Sequence, residues 1–131
     1  MASLPLKRLK VLELAGLAPV PFCGMLLADF GASVTRIDPI DTKGQVTLDK
    51  VCRNKKSLCV DLKSEKGRDL LSNLVKKSDV LLDPYRPGVL EKFLDFESLP
   101  SSLILCRISG FGHYENTWEV GFVFVYCMQN I

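Results

Sequence analysis

Residues 10–38, KVLELAGLAPVPFCGMLLADFGASVTRID, decide the fold of this chain. The stretch begins with a short apolar strand from Lys10 to Leu14. After a turn of small residues it continues as a helical pattern from Pro21 to Phe30 that ends at Gly31. A second strand follows from Val34 to Asp38. Strand, helix and strand in this order form the unit from which parallel sheets are built.

The rest of the chain repeats this alternation after a polar stretch, Asp41 to Asn54, that we interpret as a long loop or a partly helical excursion. Ser64 is predicted to cap a helix, because its hydroxyl can accept from early backbone amides and apolar residues then recur at helical spacing. The other predicted elements are strands from Ser57 to Leu62, Val80 to Leu82 and Leu103 to Ile108, and a short helix from Val89 to Phe93. The sequence therefore predicts one α/β domain, a Rossmann-like, mostly parallel sheet with helices on both faces.

The composition narrows the functional classes. The chain has 131 residues, of which 47% are hydrophobic, enough for one domain with a core. Its 17 Lys and Arg nearly balance 15 Asp and Glu, so the net charge of +2 does not mark a nucleic-acid or membrane-surface protein. The five cysteines have no CxxC spacing, and no apolar run approaches a membrane span. We expect reduced thiols, no metal site and an intracellular protein without a membrane segment.

Ligands of such folds bind in the crevice beyond the carboxyl ends of the strands, which directs attention to the loops there. The first of these loops, Leu14 to Pro19, lacks the three-glycine spacing of a dinucleotide fingerprint. A nicotinamide or flavin cofactor is therefore disfavoured. The small residues of the loop fit two roles, admission of a ligand or a tight turn needed only for packing.

A later loop carries a cation at a strand end. The run Asp61-Leu62-Lys63-Ser64 places an ammonium group beside the backbone amides of a helix start, where a phosphate can bind. The alternative is that Lys63 is merely solvated. A further basic group, which could also bind an anion, comprises Arg53, Lys55 and Lys56; a charge run is more often a solvated face than a site, and we interpret it as one.

The loop from Asp83 to Gly88 has an unusual composition, because two prolines and a glycine fix a turn at another strand end. It presents Tyr85, which can line a nucleotide site, and Arg86, which can pair with phosphate. Lys92 in the next helix adds a positive charge. A purely structural turn is the alternative.

Candidates for acid–base catalysis are poor. The single histidine, His113, follows Gly112 without an identifiable carboxylate partner. Glu13 lies in a strand and Asp29 in an apolar helix, and both are interpreted as structural carboxylates or interface groups. Physical reasoning from the residues thus leads to an α/β domain with a phosphate-bearing ligand.

Seven runs of sequence, taken together and in order, resemble the family III CoA-transferases. The runs are Val11 to Pro19, Leu27 to Ala32, Arg36 to Asp38, Asn54 to Ser57, Val60 to Lys63, Tyr85 to Gly88 and Ser109 to Gly112. The resemblance extends from about Lys7 to Gly112. Within the family it is greatest to the racemases that act on 2-methyl-branched acyl-CoA thioesters.

The resemblance implies an activity, a ligand and an assembly. Such enzymes invert the α-carbon of branched fatty or bile-acid-type acyl-CoAs by removing and returning a proton. They use no cofactor beyond the CoA of the substrate, form interlocked homodimers and reside in peroxisomes or mitochondria. The implied CoA-contacting residues are Val60, Asp61, Leu62 and Lys63 after one strand, Pro84, Tyr85 and Arg86 after another, and Lys92, at a position where relatives commonly have a basic residue.

Two departures from the family pattern matter. Pro39 stands where many relatives have a CoA-contacting arginine. After Gly112 the family continues with a glutamine-led loop, a Gly-His-Asp run and a catalytic aspartate, which residues 113–131 do not match. His113 takes the glutamine position, so no catalytic residue is assigned. We therefore predict a CoA-binding domain over residues 1–112, incomplete relative to the family, and a divergent tail over residues 113–131. We expect the tail to derive from a truncated or alternatively spliced transcript, or from a mispredicted gene model.

Three functions stay open at this point. The first is a racemase whose present chain keeps the CoA-binding loops and lacks the catalytic half. The second is a CoA transferase, whose deciding carboxylate also lies beyond this chain. The third is a non-catalytic CoA-binding module. The closer match of the amino-terminal motifs favours the racemase.

Overall fold

The computed structural model describes residues 4–17, 19–40, 50–109 and 124–128. Its helices and strands, in chain order, are β1 (Lys10–Leu14), α1 (Pro19–Asp29), β2 (Ser33–Asp38), β3 (Lys55–Cys59), α2 (Glu65–Val75), β4 (Val80–Asp83), β5 (Ile104–Ser109) and β6 (Phe124–Met128). Two short 3₁₀ turns, Leu90–Lys92 and Phe96–Ser98, lie between β4 and β5.

The strands form one sheet in the order β3-β2-β1-β4-β5-β6. β1 to β5 pair in parallel, and β6 pairs with β5 in the antiparallel direction. From central β1 the chain winds outward through β2 and β3, then returns to the other side of β1 with β4. The winding direction therefore changes between β1 and β4, the place where ligands of such sheets bind. The predicted mostly parallel α/β fold is confirmed.

Helices cover both faces of the sheet, as predicted. Successive strand residues point to opposite faces, so Val11 and Leu12 of β1 enter different cores. Val11 packs in a cluster with Val20 and Ala28 of α1. Leu12 packs on the other face in a cluster that includes Leu71 of α2. Burial of each Val or Leu side chain in these clusters contributes about 1.5–3 kcal/mol, which makes these two layers the main source of stability.

Helix α2 begins where the sequence predicts. The Ser64 hydroxyl accepts a hydrogen bond of 3.0 Å from the Gly67 backbone N–H, so it satisfies one of the free donors at the helix start. Glu65 in the first turn suits the positive end of the helix dipole. Leu71 and Val75, four residues apart, are fully buried against the sheet. The predicted cap is confirmed.

The third strand differs from its prediction. The strand was expected from Ser57 to Leu62, but β3 spans Lys55–Cys59, and its register pairs Lys55 with Val34 and Cys59 with Asp38. β3 is an edge strand with four exposed residues, so it lacks the apolar pattern that marks a strand. The apolar residues Val60 and Leu62, which suggested a strand, instead pack on the core from the turn that follows.

Other boundaries shift slightly. α1 begins at Pro19 rather than Pro21, and the predicted helix from Val89 to Phe93 is the 3₁₀ turn Leu90–Lys92. Most of the predicted loop from Asp41 to Asn54 lies outside the described residues. Within the described ranges, no helix is both long and apolar enough to cross a membrane.

Candidate functional site

The loops that follow β1, β2, β3 and β4 all lie at one edge of the sheet, because these strands are parallel. We call this set of loops the carboxyl edge; it comprises residues 15–17, 39–40, 60–63 and 84–86. Gly16 and Pro84 meet where the winding direction changes. A Cβ on Gly16 would lie 2.3 Å from the Pro84 Cβ, so only glycine allows the two loops this approach.

The turn after β3 is fixed by its own hydrogen bonds. The Lys63 N–H donates to Asp61 Oδ1 at 3.0 Å, and the Ser64 N–H and hydroxyl donate to the Asp61 carbonyl at 3.2 and 2.8 Å. Gly67 packs directly on this turn, since a Cβ there would lie 1.9 Å from the Asp61 carbonyl oxygen. Glycine at 67 is therefore required for the turn, a role that its sequence position alone did not reveal.

This turn separates the four predicted residues into two groups. Asp61 and Lys63 are exposed, whereas Val60 is buried and Leu62 packs on the core. Arg68 Nη1 donates to the Lys63 carbonyl at 3.1 Å, which holds the backbone that bears the Lys63 side chain. The ammonium group is thus presented to solvent from a defined backbone.

The loop after β4 is held by the buried Asp83. The Tyr85 N–H donates to Asp83 Oδ1 at 2.8 Å, and the Tyr85 ring lies edge-on to Phe93 at 6.3 Å. Partial burial raises the pKa of the Tyr85 hydroxyl, and the Asp83 charge raises it further. Arg86 is exposed, and Gly88, with a φ of +79°, completes the turn in a conformation that favours glycine.

The exposed cations are spread along the carboxyl edge. Lys63 follows β3 and Arg86 follows β4, and two strands lie between them. Three inter-strand spacings, about 14 Å in total, separate β3 from β4, the strands that these two loops follow. Lys92 is exposed in the 3₁₀ turn beyond Arg86. This spread suits a long ligand with separate anionic groups better than a single phosphate.

Beneath the Tyr85–Arg86 loop lies an ion-pair network that the sequence did not reveal. Arg107 of β5 is the register partner of Asp83, and its Nε donates to Asp83 Oδ2 at 2.9 Å. Its Nη1 donates to Glu91 Oε1 at 2.8 Å, and its guanidinium carbon lies 5.5 Å from the centre of the Phe96 ring. Arg107 Nη2 is buried and has no hydrogen-bond partner among the residues that the structure describes. The sequence offered one signal of this ion pair: the apolar strands β4 and β5 each contain a single charged residue, Asp83 and Arg107.

Burial dominates the electrostatics of Asp83. Its side chain is fully buried, and desolvation raises the pKa of the carboxyl despite the opposing effects of the Tyr85 N–H and Arg107. The Glu91 charge raises it further.

A second buried ion pair lies on the opposite face of the sheet. Lys55 Nζ donates to both carboxylate oxygens of Glu13, at 3.0 and 2.8 Å, and to the Pro21 carbonyl at 2.7 Å. Gly24 makes room for the pair, since a Cβ there would lie 1.8 Å from Glu13 Oε2. Glu13 is thus a structural carboxylate, one of its two predicted roles. The solvated-face interpretation was wrong for Lys55, whose side chain is 3% exposed.

The neighbouring basic residues behave differently. Arg53 forms a bidentate ion pair with Asp29, to which Asn54 also donates, so Asp29 is a satisfied structural carboxylate. The Arg53 hydrogen bond lowers the pKa of the Asp29 carboxyl. Lys56 is exposed, as expected.

The described part of the chain contains few candidates for acid–base catalysis or metal binding. His113 and the Gly110-Phe111-Gly112 run lie outside it. Asp38 is engaged by Arg36 and by the Ser57 hydroxyl. No cluster of three or more His, Cys, Asp or Glu side chains suited to a metal occurs among the described residues.

The fold and the carboxyl edge define an α/β protein of doubly wound topology whose loops present separated cations. Comparison with known proteins gives the family. The model of CoA-transferase family III matches residues 6–123. The chain therefore belongs to CoA-transferase family III.

Curated relatives agree. The chain is 50% identical over 111 residues to a CaiB/BaiF CoA-transferase family protein of Caenorhabditis elegans, which covers 82% of this chain and 32% of the relative. It is 48% identical over 111 residues to alpha-methylacyl-CoA racemase of Mus musculus, covering 82% of this chain and 28% of the relative. It is 40% identical over 125 residues to succinyl-CoA–D-citramalate CoA-transferase of Chloroflexus aurantiacus, and the match covers 82% of this chain and 31% of the relative. The chain thus spans about a third or less of the length of these relatives.

A solved structure has the same fold. A CaiB/BaiF family protein from Brucella suis superposes with a TM-score of 0.79 at 32% identity, over 92% of this chain and 37% of that chain.

Proposed function

We propose that this chain binds the CoA part of an acyl-CoA thioester along the carboxyl edge. Lys63, Arg86 and Lys92 meet the phosphates, and Tyr85 lines the nucleotide. The remaining contacts come from Val60, Asp61, Leu62 and Pro84. What supports the proposal is one observation: Lys63 and Arg86 are exposed on separate loops of one edge, and the backbone of each loop is fixed by an aspartate, Asp61 or Asp83.

The physical reason lies in the shape and charge of CoA. Its 3′-phosphate and pyrophosphate are separate anionic groups on an extended molecule. β3 and β4, the strands that precede Lys63 and Arg86, lie about 14 Å apart in the sheet, which lets each cation meet its own phosphate group. A guanidinium can bind phosphate through two parallel hydrogen bonds, whereas an ammonium acts as a point charge, so the two cations contribute differently.

For the whole protein we propose α-methylacyl-CoA racemisation, inversion of the α-carbon of a 2-methyl-branched acyl-CoA by removal and return of a proton. Support comes from identities of 48% and 49% to two racemases, against 40% to a CoA transferase. The proposal includes a homodimer that acts on branched fatty or bile-acid-type acyl-CoAs in peroxisomes or mitochondria, without a cofactor beyond the CoA of the substrate. CoA transfer between acids is the alternative chemistry, and the present 131 residues alone perform neither reaction.

The test of CoA binding is a titration of the purified chain with CoA by calorimetry. Replacement of both Lys63 and Arg86 by alanine is expected to raise the dissociation constant roughly tenfold. Charge-assisted contacts of this kind contribute about 1.5–3 kcal/mol each when well formed, and less where solvent screens them. Binding should also weaken with added salt.

The matched control is the double substitution of Lys76 and Lys77 by alanine. These exposed lysines follow α2 at the other end of the sheet, and their loss changes the net charge by the same amount. The control is expected to bind CoA as the unmodified chain does. A wild-type chain that does not bind CoA, or equal effects of the two double variants, would contradict the proposed site.

A further inference from the structure

Arg107 joins the two ends of the segment that carries the proposed nucleotide contacts. Asp83 immediately precedes Pro84 and accepts from Arg107 Nε at 2.9 Å. Glu91 follows Leu90 and accepts from Arg107 Nη1 at 2.8 Å. One guanidinium thus bridges residues on both sides of segment 84–90.

The ion pair between Arg107 and Asp83 is linked by a hydrogen bond to the backbone of the proposed site. The carboxylate that binds Arg107 also accepts the Tyr85 N–H at 2.8 Å, on its other oxygen. On the far side of the segment, Glu91 is next to Lys92 in the same 3₁₀ turn. A shift of Arg107 therefore moves the supports of Tyr85 and Lys92 together.

Arginine has the geometry for this task and lysine does not. A planar guanidinium donates from Nε and Nη1 in fixed directions, so it holds two carboxylates at a set separation and angle. The face of the group rests 5.5 Å from the centre of the Phe96 ring, which limits its rotation. An ammonium group is a single point on a flexible stem and cannot reproduce this bridge.

The energetics favour a positioning role over a purely stabilising one. A buried ion pair gains little net stability, because the loss of solvation offsets the attraction. In Arg107 one donor nitrogen, Nη2, is buried without a partner among the described residues, which lowers its net contribution further. What the arrangement does supply is a fixed geometry for the loop above it.

We infer that Arg107 is a positioning residue for CoA binding, acting through Asp83 and Glu91 on segment 84–90. The inference rests on the proposed CoA site. Arg107 itself need not touch the ligand, since its effect passes through the orientation of Tyr85, Arg86 and Lys92.

The test is a double-mutant cycle between Arg107 and Arg86, with CoA affinity measured by calorimetry and folding by thermal melting. Arg107→Lys is expected to weaken CoA binding about tenfold in the unmodified chain. In the Arg86→Ala background the same substitution should weaken binding about twofold or less, because the main contact that it positions is already lost. Independent effects that multiply in the double variant would overturn the inference.

A matched control separates positioning from general loss of stability. Glu13→Gln weakens the other buried ion pair, which lies on the opposite face of the sheet from Arg107. It is expected to lower the melting temperature without changing the affinity of the folded chain for CoA. An equal loss of affinity in Glu13→Gln would show that Arg107 acts only through stability.

A second variant keeps the inference testable if Arg107→Lys fails to fold. Glu91 is 41% exposed, so Glu91→Gln preserves the buried Asp83–Arg107 pair while weakening one arm of the bridge. We expect about a threefold loss of CoA affinity and the same coupling to Arg86. An unchanged affinity in this variant contradicts the inference.

If the unmodified chain does not bind CoA at all, the proposed function and this inference both fall. If it does bind, and loses affinity in the Lys63 and Arg86 double variant while Arg107 and Arg86 stay uncoupled, only the inference falls.

Discussion

At the scale of single residues, Asp83 combines complete burial with a structural task. Its carboxylate holds the Tyr85 N–H and Arg107 at the same time, yet burial raises the pKa of the group. The folded chain therefore binds a proton at this site more readily than the unfolded chain. Stability depends on pH in a direction set by that difference.

The expected pH dependence appears in a comparison of the unmodified chain with Asp83→Asn. As the pH falls from 7 through the raised folded pKa toward about 4, the ordinary pKa of an aspartate, the folded state takes up a proton that the unfolded state does not. The unmodified chain should therefore gain stability relative to the Asp83→Asn variant, whose side chain at position 83 does not titrate. Melting temperatures of both chains at several pH values measure the difference. A relative gain of the unmodified chain with rising pH would mean that the attraction of Arg107 outweighs burial.

The Ser64 cap could be predicted from the sequence, and the long-range ion pairs could not. The Ser64 cap depends on residues three positions apart, so the sequence shows it directly. The Glu13–Lys55 pair joins positions 42 apart, and the Asp83–Arg107 pair joins positions 24 apart. Only the order of strands brings these side chains together, and no local pattern encodes it.

At the scale of elements, β3 shows why an edge strand is hard to predict from the sequence pattern. Four of its five residues are exposed, and its one partly buried residue is a lysine whose ammonium group is neutralised by Glu13. The apolar alternation on which strand prediction depends is therefore missing. Turn Val60–Lys63, in contrast, contains apolar residues because it covers the end of a core.

Helix α1 and Phe30, the residue directly after it, expose an apolar stripe. Phe22, Leu26 and Phe30, spaced four residues apart, are 50%, 41% and 54% exposed. Apolar surface of this kind favours association of the chain with copies of itself in solution.

The stripe predicts that Leu26→Gln lowers the weight-average mass of the chain at a given concentration, as measured by sedimentation. The matched control is Leu70→Gln in α2, because Leu70 is 42% exposed, as Leu26 is 41% exposed, but lies on the other helix. The control should leave the mass unchanged. A monomeric unmodified chain at high concentration, or equal effects of the two substitutions, would argue against association through α1.

At the scale of the whole molecule, alternating strands and helices sufficed to predict the class of the sheet but not its order. The position of β4 beside β1, and the antiparallel pairing of β6, depend on contacts between distant parts of the chain. The expected division at residue 112 stays a prediction.

The absence of catalysis by the 131 residues alone is a prediction at this scale. Racemisation needs a base on one face of the α-carbon and an acid on the other. Among the described residues, the buried carboxylates Glu13 and Asp83 are committed to cations. With a 2-methylacyl-CoA in deuterated water, the purified chain should incorporate α-deuterium no faster than buffer. Faster incorporation that His113→Ala abolishes would assign His113 a catalytic role.

The central position of β1 has a consequence for how the chain assembles. β1 leaves the ribosome before the other described strands and finds β2 nearby in sequence. Its other neighbour is β4, and Asp79, which directly precedes β4 and accepts a hydrogen bond from the Lys10 N–H, lies 69 residues later. Closing so long a loop costs entropy before the contact repays it, and such distant pairings slow folding. The crevice at the carboxyl ends of β1 and β4 forms only when the two strands pair, so a chain in which they are still apart has no crevice to offer. Competence to bind a ligand there therefore requires that this distant pairing has formed.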